Sequence, residues 1–126
     1  MNTCRMNIYS NYKNKNVAIY AKKSSEKENV NEPIIGKVTW MKMEIEEFGV
    51  NILEFVDSHV KGEYQEINKL IELVKEDKIR AILIWDFDDI PTEIVEILVD
   101  ECSQRDIYLN GILTPIKIKG AILFNK

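Results

Sequence analysis

Cysteine, histidine and glycine are scarce in this chain of 126 residues, and each shortage excludes a class of functional site. The two cysteines, Cys4 and Cys102, are too few for a disulfide scaffold or for a zinc site with four cysteine ligands. His59 is the only histidine, so a site with several histidine ligands is excluded, and a hydrolytic triad would depend on this residue alone. The five glycines are not spaced as a dinucleotide-binding motif or a P-loop. No apolar run approaches about 18 residues, so no membrane-spanning helix is predicted.

Positive charge is limited both in amount and in position. The chain has 17 Lys and Arg against 21 Asp and Glu, a net charge of -4. Residues 1–30 carry six of the basic residues and only two acidic ones, so the rest of the chain is strongly acidic. Three residues are arginine (Arg5, Arg80 and Arg105), although arginine is the side chain best suited to bidentate phosphate binding. This balance is unlike that of a stand-alone duplex-DNA-binding domain, and we expect DNA binding to be weak and unspecific.

The beginning of the chain and its bulky residues give three further expectations. The first ten residues contain no apolar segment of the kind that a secretory signal requires, so we expect a cytoplasmic protein with reduced thiols. Cys102 lies in a helical pattern and is predicted to pack as a small apolar residue. Trp40 and Trp85 are predicted to pack in the core.

Short apolar runs alternate with amphipathic segments along the chain and predict four β-strands with three helices between them. The expected strands cover residues 16–21, 50–56, 81–85 and 107–112. The expected helices run from Pro33 to a C-terminal cap at Gly49, from about Ile67 to Lys78, and from Ile94 to Cys102. This order predicts an α/β fold, a three-layer α/β/α domain with a parallel sheet of about four strands. Residues 1–15 are predicted to form a loose polar N-terminal arm.

Three predicted loops follow the carboxyl ends of the first three strands, where the working surface of a parallel α/β sheet lies. They cover residues 22–32, 57–63 and 86–92. In the first loop Ser24 follows Lys22 and Lys23, an arrangement that is compatible with a nucleophilic hydroxyl beside a phosphate-binding charge. The pair Ser24-Ser25 is also typical of a turn that ends a strand.

Acidic residues crowd the third of these loops. Asp86 and Asp88 are two positions apart, so in an extended chain they would face the same side and could hold Mg²⁺ together with several waters. The alternative is a solvated acidic turn before a helix N-terminus, where negative charge is favourable.

Five segments occur in an order that resembles a known family. They are Val17–Ser25, Glu54–Asp57 followed by Gly62, Leu70–Ile79, Ile84–Ile90 and Thr114–Asn125. The first is similar to the Tyr-Ala-Arg-x-Ser strand of the serine site-specific recombinases, the resolvase/invertase family. The fourth is similar to their Trp-Lys-Leu-Asp-Arg-Leu segment. The others are similar to the family's second strand with its Asp-containing loop, to the helix before its third strand, and to the stretch that leads into its long dimer helix.

The resemblance implies a resolvase-like catalytic domain over residues 16–126. In that family a serine hydroxyl attacks a DNA phosphodiester and forms a 5′-phosphoseryl link, an arginine cluster binds the phosphate, and no metal or nucleotide cofactor is used. By position Ser24 matches the nucleophile, Asp88 matches the acidic residue, and Asp57 matches the aspartate of the second-strand loop. The chain stops where the long dimer helix would begin, so the resemblance implies a domain truncated before that helix and before the DNA-binding domain.

The arginine positions depart from the family's pattern. Lys22 replaces the arginine two residues before the serine. Tyr64, Asp89 and Thr92 stand where three further arginines are expected, and Lys37 lies about where a helix glutamine is usual. Each preorganised donor that is lost typically costs about 3–4 kcal/mol of transition-state stabilisation. Asp89 is worse than neutral, because it adds a carboxylate close to an anionic substrate.

These departures predict a catalytically inactive domain, without cofactor or metal, that acts as a binding or regulatory module or is a remnant of a mobile element. Two alternatives stay open. One is an active site-specific recombinase domain that uses Ser24 with the nearby lysines as substitute cations. The other is a Mg²⁺-dependent phosphotransfer domain built on Asp86 and Asp88. The expected partners are DNA, bound weakly, or a recombinase-like protein; a homodimer is left open and no membrane partner is expected.

Overall fold

The computed structural model describes residues 7–23, 32–60 and 62–113. Four β-strands lie in this part of the chain: β1 Asn16–Lys22, β2 Asn51–Asp57, β3 Ala81–Ile84 and β4 Tyr108–Gly111. Three α-helices alternate with them: α1 Glu32–Ile45, α2 Gln65–Lys75 and α3 Thr92–Arg105. Short 3-10 helices cover Asn7–Tyr12, Glu46–Phe48 and Phe87–Asp89. No helix within these ranges is long and apolar enough to cross a membrane.

The four strands form one parallel sheet in the order β2-β1-β3-β4. The two central strands, β1 and β3, are buried along almost their whole length, as expected for parallel strands covered on both faces. Their apolar runs are continuous for the same reason. The predicted fold class, an α/β domain with a parallel sheet of about four strands, is confirmed.

Alternate residues of the sheet supply two separate hydrophobic cores. One face packs against α2 and α3, with Leu70 of α2 among its buried residues. The opposite face packs against α1 and the Asn7–Tyr12 turn, with Met41 of α1 among its buried residues. Because side chains alternate across a strand, β3 places Ile82 in the first core and Leu83 in the second. Helices therefore lie on both sides of the sheet, which gives the three predicted layers.

Two predictions about single residues are confirmed. Cys102 is fully buried in α3, and burial raises the pKa of its thiol to about 12, so it packs as a small apolar side chain. Gly49 follows the 3-10 turn at the end of α1 with φ 72°, and its N–H donates to the Glu46 carbonyl. A left-handed residue of this kind ends a helix at little cost when it is glycine.

Residues 7–12 differ from the loose arm expected over residues 1–15, of which residues 1–6 lie outside the described part of the chain. Residues 7–12 form a 3-10 helix, and Tyr9 is fully buried against the sheet. The Tyr9 hydroxyl donates to the Ile82 carbonyl at 2.9 Å, and its ring meets the Tyr108 ring edge-on at 5.5 Å. A tyrosine ring can be buried when its hydroxyl has a hydrogen-bond acceptor. The sequence around Tyr9 is mostly polar, which is why this burial was not predicted.

Trp40 differs from the expectation that both tryptophans pack in the core. Its side chain is 48% exposed, and its ring meets the partly buried Trp85 ring edge-on at 5.8 Å. The inward stripe of α1 consists of Val38, Met41 and Ile45. Position 40 is rotated by about 100° or more from each residue of that stripe, so Trp40 is not directed into the core.

Candidate functional site

The carboxyl ends of three strands meet at one edge of the sheet, as the parallel topology requires. Lys22, the last residue of β1, is the register partner of Asp57, the last residue of β2. The Lys23 N–H donates to the Asp57 carbonyl at 3.1 Å, and the Trp85 N–H donates to the Tyr20 carbonyl at 2.9 Å. The segment after β3 therefore lies beside the end of β1. Ser24, the predicted nucleophile, lies outside the described residues, as does Ser25.

Asp57 is a buried anchor for α2. It is 3% exposed, and its carboxylate accepts hydrogen bonds from the backbone N–H groups of Glu66 and Ile67 at 2.7 and 3.1 Å. These amides belong to the first turn of α2 and have no partner within the helix. Tyr64, at the N-cap position, makes no side-chain capping bond, so Asp57 caps α2 from the neighbouring strand. The carboxylate also lies at the positive end of the helix dipole.

Tyr20 completes the hydrogen bonding of Asp57. Its hydroxyl donates to Asp57 Oδ2 at 2.7 Å. Burial, followed by this hydrogen bond, raises the pKa of Tyr20 far above its ordinary value, so the phenol remains protonated and cannot act as a base. Tyr20 and Asp57 together tie β1, β2 and α2 to one another. The contacts of Asp57 are thus those of a structural residue.

Lys22 directs its charge into the loop that follows β2. The Lys22 Nζ donates to the Ser58 carbonyl and lies 3.4 and 3.5 Å from the carbonyl oxygens of Val60 and Glu63. It also lies 4.6 Å from the centroid of the Tyr64 ring, a cation–π distance. Three carbonyls and one aromatic face therefore surround the ammonium group. This cation holds the 58–64 loop against the end of β1.

Lys37 of α1 also reaches this edge of the sheet. Its Nζ donates to the Lys22 carbonyl at 3.2 Å, so the side chain crosses from the helix to the last residue of β1. Burial raises the pKa of the Asp89 carboxyl, and the charge of Lys37, like that of Lys22, partly offsets this rise. The sequence-based grouping of Lys37 with Lys22 near the site agrees with this placement.

The segment after β3 is a tight acidic turn. Asp86 caps the Phe87–Asp89 3-10 helix, because its side chain accepts a hydrogen bond from the Asp88 N–H at 2.9 Å. Asp88 is exposed, whereas Asp89 is partly buried. Burial and the Asp86 carboxylate raise the pKa of Asp89, and the two lysines only partly offset them.

The expectation that Asp86 and Asp88 face one side of an extended chain is wrong. Asp88 lies within the 3-10 turn, where the two-residue alternation of a strand does not apply. The Asp86 carboxylate instead closes the turn by capping it. Among residues 7–23, 32–60 and 62–113 no group of three or more His, Cys, Asp or Glu is arranged to hold a metal ion. The geometry gives the magnesium hypothesis no support.

Thr92 and Tyr64 occupy the starts of two helices. Thr92 is the exposed first residue of α3, and Tyr64 immediately precedes α2. Both positions are therefore at the same sheet edge as Lys22.

The stacking of Lys22 on Tyr64 and the capping role of Asp57 were not predicted from the sequence. The contact between Lys22 and Tyr64 could have been anticipated from the spacing in β1. Tyr20 and Lys22 are two residues apart, so their side chains lie on the same face of the strand, the face that packs on α2.

Comparison with known proteins identifies the fold. No family model matches the sequence, and no curated protein matches it. The structure is similar to the first open reading frame of transposon ISC1904 from Sulfolobus solfataricus P2 (TM-score 0.63, 15% identity, 85% of this chain and 74% of that chain covered). It is similar to the C-terminal catalytic domain of ISC1926 TnpA, an IS607-like serine recombinase (0.62, 17%, 87% and 76%). It is also similar to a resolvase family site-specific recombinase from Streptococcus pneumoniae (0.61, 16%, 88% and 81%). The chain therefore has a resolvase-like fold, as the sequence resemblance predicted.

Proposed function

We propose that this chain is a serine-recombinase-like domain that does not transfer DNA phosphodiesters and that acts as a binding or regulatory module. The observation that carries the proposal is the environment of Lys22. This lysine stands at the first arginine position of the resemblance, yet its ammonium group is directed to the carbonyls of Ser58, Val60 and Glu63. A cation held in this way is a structural tie and not a donor aimed at a phosphate.

The electrostatics of the same edge support the proposal. Attack on a phosphodiester builds negative charge on the phosphate oxygens, which fixed positive donors must stabilise. At the other arginine positions the chain has an aromatic ring at Tyr64, a hydroxyl at Thr92 and a carboxylate at Asp89. Asp89 lies close enough to Lys22 and Lys37 to interact with both charges. An internal carboxylate therefore already interacts with the charges of the two lysines that could bind a phosphate.

The expected deficiency is in transition-state stabilisation and not in the attacking group. Ser24 keeps the nucleophile's position in the sequence, where its Oγ would form a bond to phosphorus as the deoxyribose 3′-oxygen leaves. Each missing donor is worth about 3–4 kcal/mol, or roughly 10²–10³ in rate. Effects of this kind do not add simply, but two missing donors already imply a loss of about 10⁴-fold or more.

A covalent-adduct assay tests the proposal. The full chain is incubated with nicked or suicide DNA substrates, and protein-linked DNA is separated on denaturing gels. We expect no adduct above background. An adduct that disappears in Ser24→Ala but persists in the matched variant Ser25→Ala would overturn the proposal and identify an active recombinase domain that uses lysines as its cations.

The binding role is tested separately on the same protein. The acidic body of the chain repels phosphate, so we expect only weak and sequence-independent binding to duplex DNA at physiological salt. A recombinase-like protein or a second copy of this chain is then the partner of interest. Submicromolar, sequence-selective DNA binding in a gel shift would contradict this part of the proposal while leaving the adduct result unaffected.

A further inference from the structure

Three basic side chains lie at the amino edge of the sheet, where the strands begin, and have no acidic partner. Lys13, Lys15 and Arg80 are exposed, and within residues 7–23, 32–60 and 62–113 none of them forms an ion pair. Most other basic side chains of these ranges are engaged by carboxylates or carbonyls: Lys22, Lys37, Lys42, Lys69, Lys75, Lys78 and Arg105. Uncompensated positive charge is therefore gathered at the edge opposite Lys22 and Asp89.

The strand register brings these three cations, the amino-edge cluster, close to one another. Lys15 directly precedes β1 and Arg80 directly precedes β3, and the two strands are neighbours about 4.8 Å apart. The Arg80 N–H donates to the Asn16 carbonyl at 2.9 Å. Burial raises the pKa of Tyr12, and the charge of Arg80 partly offsets this rise. The guanidinium therefore acts on the residue that immediately precedes Lys13.

The backbone that carries the two lysines is fixed by hydrogen bonds. Asn14, between them, has a left-handed backbone with φ 64°, and its N–H donates to the Gly49 carbonyl at 2.9 Å. The Lys15 N–H donates to the Tyr12 carbonyl at 2.8 Å and closes the turn. The Lys13 stem packs on Gly49, where a Cβ would lie 3.2 Å from Lys13 Cγ. A partner therefore meets these charges on an ordered frame, which reduces the entropy lost on binding.

Acidic residues in the segments before β2, β3 and β4 also lie towards this edge. They are Glu46, Glu47, Glu76, Asp77 and Asp106. Two of them form ion pairs with basic residues outside the amino-edge cluster. Asp106 is exposed, and its charge acts on Tyr12 as that of Arg80 does. Asp106 is therefore the carboxylate best placed to weaken the attraction of the cluster for an anion.

The phosphate backbone of duplex DNA is the anion that suits the amino-edge cluster. Lysine and arginine that contact phosphates release condensed counterions, and this gain needs no base contact. A cation that is already paired with a carboxylate must first give up that partner, whereas Lys13, Lys15 and Arg80 have none to give up. The planar fork of Arg80 can also donate two parallel bonds to one phosphate.

We propose that Lys13, Lys15 and Arg80 bind the phosphate backbone of duplex DNA at the amino edge of the sheet. The seven residues of β1 separate this site by about 20 Å from the edge that carries Lys22 and Asp89. The inference rests on the weak, sequence-independent DNA binding of the proposed function and gives that binding a location. It does not depend on whether the chain cleaves DNA.

The salt dependence of binding measures the number of phosphate contacts. The full chain is titrated against a fluorescently labelled DNA duplex, and binding is followed by anisotropy. Three contacts predict a slope of about -2.7 for log K against log salt concentration, a loss of about 40-fold between about 50 and 200 mM salt. The triple variant Lys13→Gln, Lys15→Gln, Arg80→Gln should bind at least about ten-fold more weakly at the lower salt concentration, with a slope near zero.

A second triple variant is the matched control, because it makes the same change of net charge at lysines that form ion pairs elsewhere on the domain. It carries Lys42→Gln, Lys69→Gln and Lys75→Gln. We expect its affinity to fall by less than about three-fold, since only the general field of the protein changes. All six positions are at the surface, and circular dichroism establishes that each variant remains folded.

Two further measurements locate the site without removing any cation. Asp106→Asn should raise the affinity about two- to three-fold, because it removes the nearby carboxylate, and asparagine tolerates the left-handed backbone at this position (φ 57°). Acetylation of lysine amines, read by mass spectrometry, should be slowed by bound DNA at Lys13 and Lys15 and unchanged at Lys69.

Four results would overturn the inference. Equal losses in the two triple variants would make net charge the cause, and DNA protection confined to Lys22 and Lys37 would place binding at the carboxyl edge. Displacement of DNA by poly-glutamate at equal charge concentration would identify an acidic protein segment as the better occupant. Absence of binding even at low salt would leave the amino-edge cluster without this ligand. A covalent adduct that depends on Ser24 would contradict the proposed inactivity alone and would leave this site unaffected.

Discussion

The ammonium group of Lys22 lies 4.6 Å from the centre of the Tyr64 ring. Both residues stand where the resemblance to serine recombinases leads one to expect arginine, and here they satisfy each other. A cation–π contact of this kind is worth about 0.5–2 kcal/mol. It joins the end of β1 to the start of α2 and closes the 58–64 loop between them. Two positions expected to bind a phosphate therefore form a structural contact.

Removing the Lys22 charge should loosen that loop. Lys22→Met keeps most of the aliphatic stem but loses the bonds to the Ser58, Val60 and Glu63 carbonyls. We expect amide hydrogen exchange over residues 58–64 to accelerate about ten-fold, which corresponds to roughly 1.4 kcal/mol of lost local stability. Lys69→Met, on the exposed side of α2, is the matched control and should leave these rates unchanged. Unaltered exchange in Lys22→Met would show that the carbonyl contacts contribute nothing.

Asp57 should be among the residues most important for stability. Asp57→Asn places an amide nitrogen or a neutral oxygen against donors that now bond to a carboxylate, and it removes the charge at the N-terminus of α2. We expect a loss of about 2–4 kcal/mol in the free energy of unfolding, measured by urea denaturation. Asp88→Asn, at an exposed position, should change it by less than about 0.5 kcal/mol.

The Tyr20–Asp57 pair can be separated from the capping bonds by a double-mutant cycle. Tyr20→Phe alone should cost about 1–2 kcal/mol, since it removes the donor at 2.7 Å from a buried carboxylate. In the double variant Tyr20→Phe, Asp57→Asn, the measured loss of stability should be about 1 kcal/mol smaller than the sum of the losses in the two single variants. Strict additivity would mean that the hydroxyl does not interact with Asp57 in solution.

Replacing the internal anion should open the edge of the sheet to phosphate. Asp89→Arg exchanges a carboxylate beside Lys22 and Lys37 for the side chain that the family resemblance expects. We expect affinity for a short DNA duplex at low salt to rise about ten-fold and the salt dependence to steepen by about one phosphate contact. The control is Asp100→Arg, the same charge change at an exposed position about two turns into α3. Equal gains in both variants would indicate net charge and not the site as the cause.

The raised pKa of Asp89 gives a pH dependence with a definite sign. The folded protein binds the Asp89 proton more tightly than the unfolded chain does, so this group's contribution to stability is fully present below the ordinary carboxyl pKa of 3.8 and is lost as the pH rises through the folded value. Asp89→Asn should therefore be at least as stable as the native chain at pH 7, and its advantage should shrink as the medium is acidified. Urea denaturation across this range measures it. A native chain that is more stable than Asp89→Asn at neutral pH would mean that Lys22 and Lys37 outweigh burial.

Much of the fold followed from local patterns in the sequence. Continuous apolar runs such as Ala81–Ile84 identified buried parallel strands, and helical spacing identified the segments between them. Gly49 marked a helix end, because a left-handed residue is favourable as glycine. The fold of the recombinase family was also predicted, from five short segments in order. These features depend on neighbouring residues, so the chain alone determined them.

The roles of the site residues were decided by contacts between distant parts of the chain. Lys22 donates to a carbonyl 36 residues away, Tyr20 to a carboxylate 37 residues away, and Tyr9 to a carbonyl 73 residues away. No local pattern specifies such partners. The sequence placed the segments that follow β1, β2 and β3 at one edge of the sheet, because parallel strands end together there. Whether each charge faces a substrate or another residue of the protein depended on the packing of α1, α2 and the 58–64 loop around that edge, since a buried charge takes whichever partner the tertiary structure places within hydrogen-bonding distance.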